Sequence, residues 1–184
     1  MEADVDRRKR FESAVAEVYE PLQRYLGRRA QAEDVSELLN DALLVLWRRL
    51  DDVPIDDLRP WSYGVAKLCL ANSRRGNNRR LRLVGRLTAD PLTHLSHGQH
   101  APSDDGHDEL TTALNQLDDS ERELVRLWAW EQLEPREIAI ALDTTANAVS
   151  LRLTRAKKKI ASSMRQSGAS GGHEAFGHRE EARP

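Results

Sequence analysis

Residues 134–160, EPREIAIALDTTANAVSLRLTRAKKKI, carry the pattern from which the architecture can be read. Pro135 suits the first position of a short helix, where its fixed φ is pre-set and its missing N–H has no helical partner to lose. Ile138, Ala139 and Leu142 would form the buried side of that helix. Asp143, Thr144 and Thr145 supply a tight turn, and Thr145 can cap a longer helix from Ala146 to about Ile160. Val149, Leu153, Ala156 and Ile160 then share one face of the longer helix, leaving Asn147, Ser150, Leu151, Thr154, Arg155 and Lys158 on the other. A short helix, a turn and a longer helix is helix-turn-helix spacing. The outer face suits a major groove: Ser, Thr and Asn exchange hydrogen bonds with base edges and phosphates, Arg155 reaches guanine or phosphate, and Leu151 meets a thymine methyl. A plain helical hairpin with a solvated basic end fits the same spacing. The block RLTRAKKK favours the groove, because solvated helices usually intersperse acids among their bases.

Upstream, Ser120 and Glu123 have capping-box spacing for a helix with Leu124, Leu127 and Trp128 on one side. Residues 85–108, GRLTADPLTHLSHGQHAPSDDGHD, show no sustained period and read as a flexible linker. Residues 167–184, SGASGGHEAFGHREEARP, read as a disordered tail. Before the linker, Phe11, Val15, Val18, Leu22 and Leu26 mark a first helix from about Arg8 to Arg29, which Pro21 should bend or interrupt. Val35, Leu38, Leu39, Ala42, Leu43, Leu46 and Leu50 mark a second, with Asp34 or Ser36 as its cap. After the loop DDVPIDDLRP, residues 61–82 read WSYGVAKLCLANSRRGNNRRLR, a third helix with an expected buried stripe of Trp61, Val65, Leu68 and Asn72 that loosens at Gly76.

These elements predict an all-α chain of two small helical domains: 1–84, the linker 85–108, a helix-turn-helix unit 109–166 and the tail 167–184. The 184 residues contain 32% charged side chains with no long apolar run and no leader-like segment, so a cytoplasmic protein without a membrane span is expected. Cys69, the sole cysteine, rules out an internal disulfide and CxxC-type metal sites.

Net charge is only -2, but the charges are sorted into blocks. Lys67, Arg74, Arg75, Arg79, Arg80, Arg82 and Arg86 follow one another without an acid, and a second basic block spans 152–165. Residues 104–123 are strongly acidic, which offsets the total and weakens indiscriminate attraction to a polyanion. Tyr63, Lys67 and Arg74 recur at helical spacing, placing an aromatic in line with cations. That arrangement suits single-stranded or opening DNA, whose bases stack on rings while its phosphates seek Lys and Arg.

Three segments resemble bacterial sigma-70 family sigma factors of the extracytoplasmic-function group. RPWSYGVAKLCLANSRRGNNRR is similar to their region 2.3 to 2.4, SELLNDALLVLWRRL to region 2.2 and LEPREIAIALDTTANAVSLRLTRAKKKI to region 4.2, in the family's order. The resemblance implies an alternative sigma factor that binds RNA polymerase core and directs promoter-specific initiation, with no enzymatic activity and no cofactor. Region 2 would read and melt the minus-ten element through Trp61, Tyr63, Lys67, Asn72, Arg74, Arg75, Arg79 and Arg80, with a flipped base held under the loop 51–60. Region 4 would read the minus-thirty-five element through Thr145, Asn147, Ser150, Leu151, Thr154, Arg155 and Lys158. The outward row Glu37, Asn40, Asp41, Leu44 and Arg48 would dock on the clamp helices of the beta-prime subunit, and region 4 would touch the beta flap. An anti-sigma factor is a further implied partner. The chain has Leu68 where the family often has Asn, Asn40 for Gln, Asp143 for the turn glycine and Ser150 at a commonly basic position.

Two rival functions share these features: a helix-turn-helix regulator that acts without polymerase, and a sigma-like module that binds polymerase without opening promoters. His94, His97, His100 and His107 are too loosely spaced for a metal site, and DDVPIDD reads as a loop with capping acids rather than a cation site.

Overall fold

The computed structural model describes residues 2–88 and 108–170, with side chains over 4–80 and 110–165. These residues form seven α-helices and two short 3-10 turns, and no strand occurs among them. The expected all-α architecture is therefore observed. The histidine-containing segment 89–107 and the end of the chain from 171 lie outside the described residues.

The first unit is a bundle of α1 (Glu2–Gly27), α2 (Val35–Arg49) and α3 (Leu58–Thr88), each packed on the other two. Val18, Leu22, Tyr25 and Leu26 of α1 meet Leu38, Leu39, Ala42 and Leu46 of α2 in the core. Burying each such leucine or valine is worth about 1.5–3 kcal/mol. That scale explains two departures from local expectation. Pro21 neither ends nor divides α1, which continues to Gly27, and Gly76 does not release α3, which runs on to Thr88. A proline costs about 3 kcal/mol and a glycine about 1 kcal/mol in a helix interior. Several buried side chains on either side of Pro21 outweigh the former. No side-chain cap from Asp34 starts α2; the 3-10 turn Ala32–Asp34 leads into it instead.

The second unit wraps α4 (Asp108–Asn115), α5 (Asp119–Ala129) and α6 (Pro135–Ala141) around α7 (Ala146–Ser170). Leu124, Leu127, Leu133 and Ile138 close over Val149, Leu153 and Ala156. The capping box of α5 is one step earlier than the sequence suggested: the Asp118 carboxylate accepts from the Glu121 N–H at 2.8 Å, and Glu121 accepts from the Asp118 N–H at 3.3 Å. Glu123 is thereby left free for another role. Pro135 opens α6 as expected, while the Glu137 carboxylate accepts from the Glu134 N–H at 2.8 Å.

Candidate nucleic-acid interface

The turn between α6 and α7 aims the longer helix. Asp143 adopts φ 50°, a left-handed conformation that Asp tolerates better than most residues, and the Thr144 N–H reaches back to the Ala139 carbonyl at 2.9 Å. Thr145 Oγ1 accepts from the Ala148 N–H at 3.2 Å and caps α7 as predicted. Val149, Leu153 and Ala156 are buried, and Asn147, Ser150, Leu151, Thr154, Arg155 and Lys158 are all exposed. Ser150 donates to the Ala146 carbonyl and Thr154 to the Ser150 carbonyl, each at 2.9 Å, so both hydroxyl oxygens keep lone pairs free as acceptors. The three consecutive lysines separate by role. Lys159 is held by Glu121 at 2.6 Å and Lys157 lies 3.3 Å from the centre of the Trp128 ring, whereas Lys158 has no ion pair among the described residues. Trp128 is thus an exposed platform for a cation rather than part of the buried side of α5.

On α2, Glu37, Asn40, Asp41, Leu44 and Arg48 are exposed along one face, and Leu44 keeps 52% of its surface open. None of the four polar members of that row forms an ion pair within the described residues.

On α3 the helical phase differs from the sequence expectation. The buried positions are Ser62, Tyr63, Val65, Ala66 and Leu70, while Leu68 is 62% exposed and Asn72 is also exposed. Tyr63, expected on the outer face with Lys67 and Arg74, is only 2% exposed and lies 5.2 Å, ring centre to ring centre, from Tyr25. The reason is tertiary: α3 is covered by α1 and α2 on one side and by α6 on another, so an apolar ring on that flank gains more inside than out. Trp61 is half-buried against the core. Lys67, Arg74, Arg75, Arg79 and Arg80 are exposed, with Arg75 donating to the Asn72 side chain. The side chains of Arg82 and Arg86 lie outside the described residues. Cys69 is half-buried, and burial followed by the Asp41 charge pushes its thiol above the ordinary value.

The loop before α3 spends its acids on ion pairs rather than gathering them. Asp51 pairs with Arg10 at 2.9 Å, Asp52 with Arg49 at 2.9 Å and Asp57 with Arg136 at 3.7 Å. No group of carboxylates, histidines or cysteines suited to a metal ion occurs among the described residues.

Residues 107–160 match the family model described as Sigma-70, region 4, which spans α5 to α7 and the whole helix-turn-helix. The chain is 29% identical over 140 residues to the RNA polymerase sigma factor NccH of Alcaligenes xylosoxydans xylosoxydans, an alignment that covers 73% of this chain and 75% of that protein. The chain belongs to the sigma-70 family, extracytoplasmic-function group. Its fold is also that of the sigma factor RpoE from Bartonella quintana, solved in complex with the anti-sigma factor NepR. The two superpose with a TM-score of 0.51 at 17% identity, over 84% of this chain and 96% of that one. No described helix of this sigma-70 family chain is long and apolar enough to cross a membrane.

In this family member the helix-turn-helix unit sits directly on the first unit, with α6 packed against α3. A Cβ added at Gly64 would come within 2.9 Å of the Ala141 carbonyl oxygen, so the close approach of the two helices requires glycine there. Glu123 accepts from the Tyr25 hydroxyl at 2.9 Å and from Arg29 Nε at 3.1 Å. Glu131 pairs with Arg28 at 2.6 Å and Arg29 at 3.1 Å, and its carbonyl accepts from Arg59 at 3.0 Å. Burial, then the Glu123 charge, pushes the Tyr25 phenol well above its ordinary range. Burial, then the Arg29 charge beside it, holds the Arg126 guanidinium below its ordinary value. None of these contacts was anticipated from the sequence. Their partners lie about a hundred positions apart, where periodicity carries no information.

Proposed function

We propose that this sigma factor binds RNA polymerase core and divides promoter recognition between its two units. The observation that carries the reading is α7: a capped helix, set by a left-handed turn, with an unbroken outer face of Asn147, Ser150, Leu151, Thr154, Arg155 and Lys158 above a fully apolar inner one. That face would enter the major groove of the upstream element. The α2 row centred on Leu44 would dock on the polymerase clamp helices, since an exposed leucine ringed by uncommitted polar groups resembles the centre and rim of a protein interface.

Downstream, Lys67, Asn72, Arg74, Arg75, Arg79 and Arg80 would track the phosphates of the opened strand, with Trp61 at the edge of the melted segment and the loop 51–60 above it. Tyr63 is omitted from the contact set because its ring is packed inside. The domain division 1–84 and 109–166 is retained, with α3 extending a few residues beyond the first boundary. The reading puts the protein in the cytoplasm with polymerase and assigns it no bond-making chemistry. An anti-sigma factor is proposed as a regulator by analogy with the RpoE complex.

Run-off transcription with purified bacterial core polymerase on a promoter library tests the proposal. Start-site-specific transcripts that depend on this chain are expected. Tight duplex binding by the isolated chain with no effect on polymerase would favour an independent helix-turn-helix regulator, and polymerase binding without transcripts would favour a clamp-occupying module.

A further inference from the structure

The upstream and downstream elements of the proposed function are separated by about 25 base pairs, or roughly 85 Å of duplex at 3.4 Å per step. In the structure α7 packs on α6 and α6 packs on α3. Two helix-packing steps separate the groove-facing helix from the strand-tracking helix by only about 20 Å. One molecule in this arrangement cannot occupy both elements. The twenty steps of chain from Thr88 to Asp108 can reach at most about 70 Å, enough with the lengths of the helices themselves for the units to part.

The contact also covers the surface the function needs. The loop 51–60 is held by Asp57 to Arg136 at 3.7 Å and by Arg59 donating to the Glu131 carbonyl at 3.0 Å. Arg74, one of the strand-tracking cations, donates to the Arg29 carbonyl at 2.9 Å, beside the ion pairs that join the units. Resting on the sigma-factor reading, we infer that the helix-turn-helix unit is an intramolecular latch over the promoter-opening surface, fastened by Arg28 and Arg29 on Glu123 and Glu131 and fitted by Gly64 against Ala141. The latch must release when core polymerase and promoter are engaged.

The chemistry of the contact suits a reversible device. It joins small residues and paired charges rather than a broad apolar slab, the composition of interfaces that open and close. It also carries a built-in cost. Arg29 Nη2 and Arg126 Nε are buried N–H groups without a protein partner, and opening returns them to water.

The full-length chain is compared with Gly64→Ala and Glu131→Gln. Alanine favours the α3 helix itself while its methyl collides with the Ala141 carbonyl, so Gly64→Ala separates opening from unfolding. Glu131→Gln removes the charge that holds Arg28 and Arg29 and serves as the second variant if Gly64→Ala loses helicity. Small-angle scattering is expected to show a compact wild-type chain and a larger radius of gyration for both variants. The apparent affinity for bacterial core polymerase is expected to rise by about tenfold in the variants, because a chain held mostly closed binds in proportion to its open fraction. A wild-type chain that is already extended, or variants that expand no further, overturns the latch. So does expansion without any gain in polymerase affinity. If neither the wild type nor the variants bind polymerase, the sigma-factor reading falls, and the scattering result alone decides whether the two units are latched.

Discussion

Arg29 Nη1 and Glu131 Oε1 lie 3.1 Å apart, and both side chains keep only 3% of their surface exposed. Arg29 stands just beyond the end of α1 and Glu131 just beyond the end of α5, so one buried ion pair joins the two units of the molecule. A second carboxylate, Glu123, takes the other side of the same guanidinium at 3.1 Å, and the Tyr25 ring lies 3.8 Å from it. Removing water from such a group is costly unless each charge has a partner, and here one arginine serves two carboxylates.

Arg29→Ala should therefore destabilise the chain by about 3 kcal/mol, near the lower end for breaking a buried pair, because opening of the units lets the orphaned glutamates rehydrate. Urea unfolding of the variant is expected to separate into two transitions. Arg8→Ala, which removes only the exposed pair of Arg8 with Glu12, should change stability by less than about 0.5 kcal/mol.

Tyr25 gives the fold an alkaline limit. Its phenol titrates higher in the folded chain than the ordinary value of 10.0, through burial first and the Glu123 carboxylate second. A folded-state value raised above the unfolded one means that the contribution is intact below about pH 10 and is lost as pH climbs beyond it, since ionised tyrosine is accommodated only on unfolding. Urea midpoints should fall steeply above pH 10 in the wild type. Tyr25→Phe should lose about 1 kcal/mol at neutral pH with its hydrogen bond and then decline less steeply.

Asp143 holds φ 50° at the turn of the helix-turn-helix. Glycine adopts this conformation without a Cβ penalty, so Asp143→Gly should leave the turn intact and raise stability by up to about 1 kcal/mol, while a β-branched Asp143→Val should lower it by 1 kcal/mol or more. Thermal midpoints of the three proteins check the order.

Arg155 and Leu44 should separate two binding events. Arg155→Ala, on the outer face of α7, is expected to weaken upstream-element binding by about 1–3 kcal/mol and to leave polymerase association unchanged. Leu44→Glu places a charge at the centre of the α2 row and should reduce polymerase association with no loss of folded helicity. Anisotropy with duplex DNA and co-elution with core polymerase distinguish the two losses.

Much of the proposed interface was legible because it rests on local rules. The spacing of Val149, Leu153 and Ala156 set the outer face of α7, Thr145 caps it, and Asp143 takes the turn glycine's conformation. The row Glu37, Asn40, Asp41, Leu44 and Arg48 followed from the stripe behind it. Tyr63 was misjudged because an amphipathic pattern presumes one buried side, and α3 has two. The cap of α5 was misjudged because both Ser120 and Asp118 can cap a helix; Asp118 takes the place, and Glu123, three residues past Ser120, turns to Tyr25 and Arg29.

The chain by itself determined that it would be helical, where most helices begin, which faces carry cations and that a helix-turn-helix closes it, since these depend on contacts within a few residues. Only the tertiary structure decided that α1 passes through Pro21, that Tyr63 points inward and that Arg29 meets Glu131. Those outcomes depend on which surfaces are brought together across the chain. Burial against a distant partner is large enough to override a local preference of one to three kcal/mol, and no periodicity in the sequence encodes who that partner is.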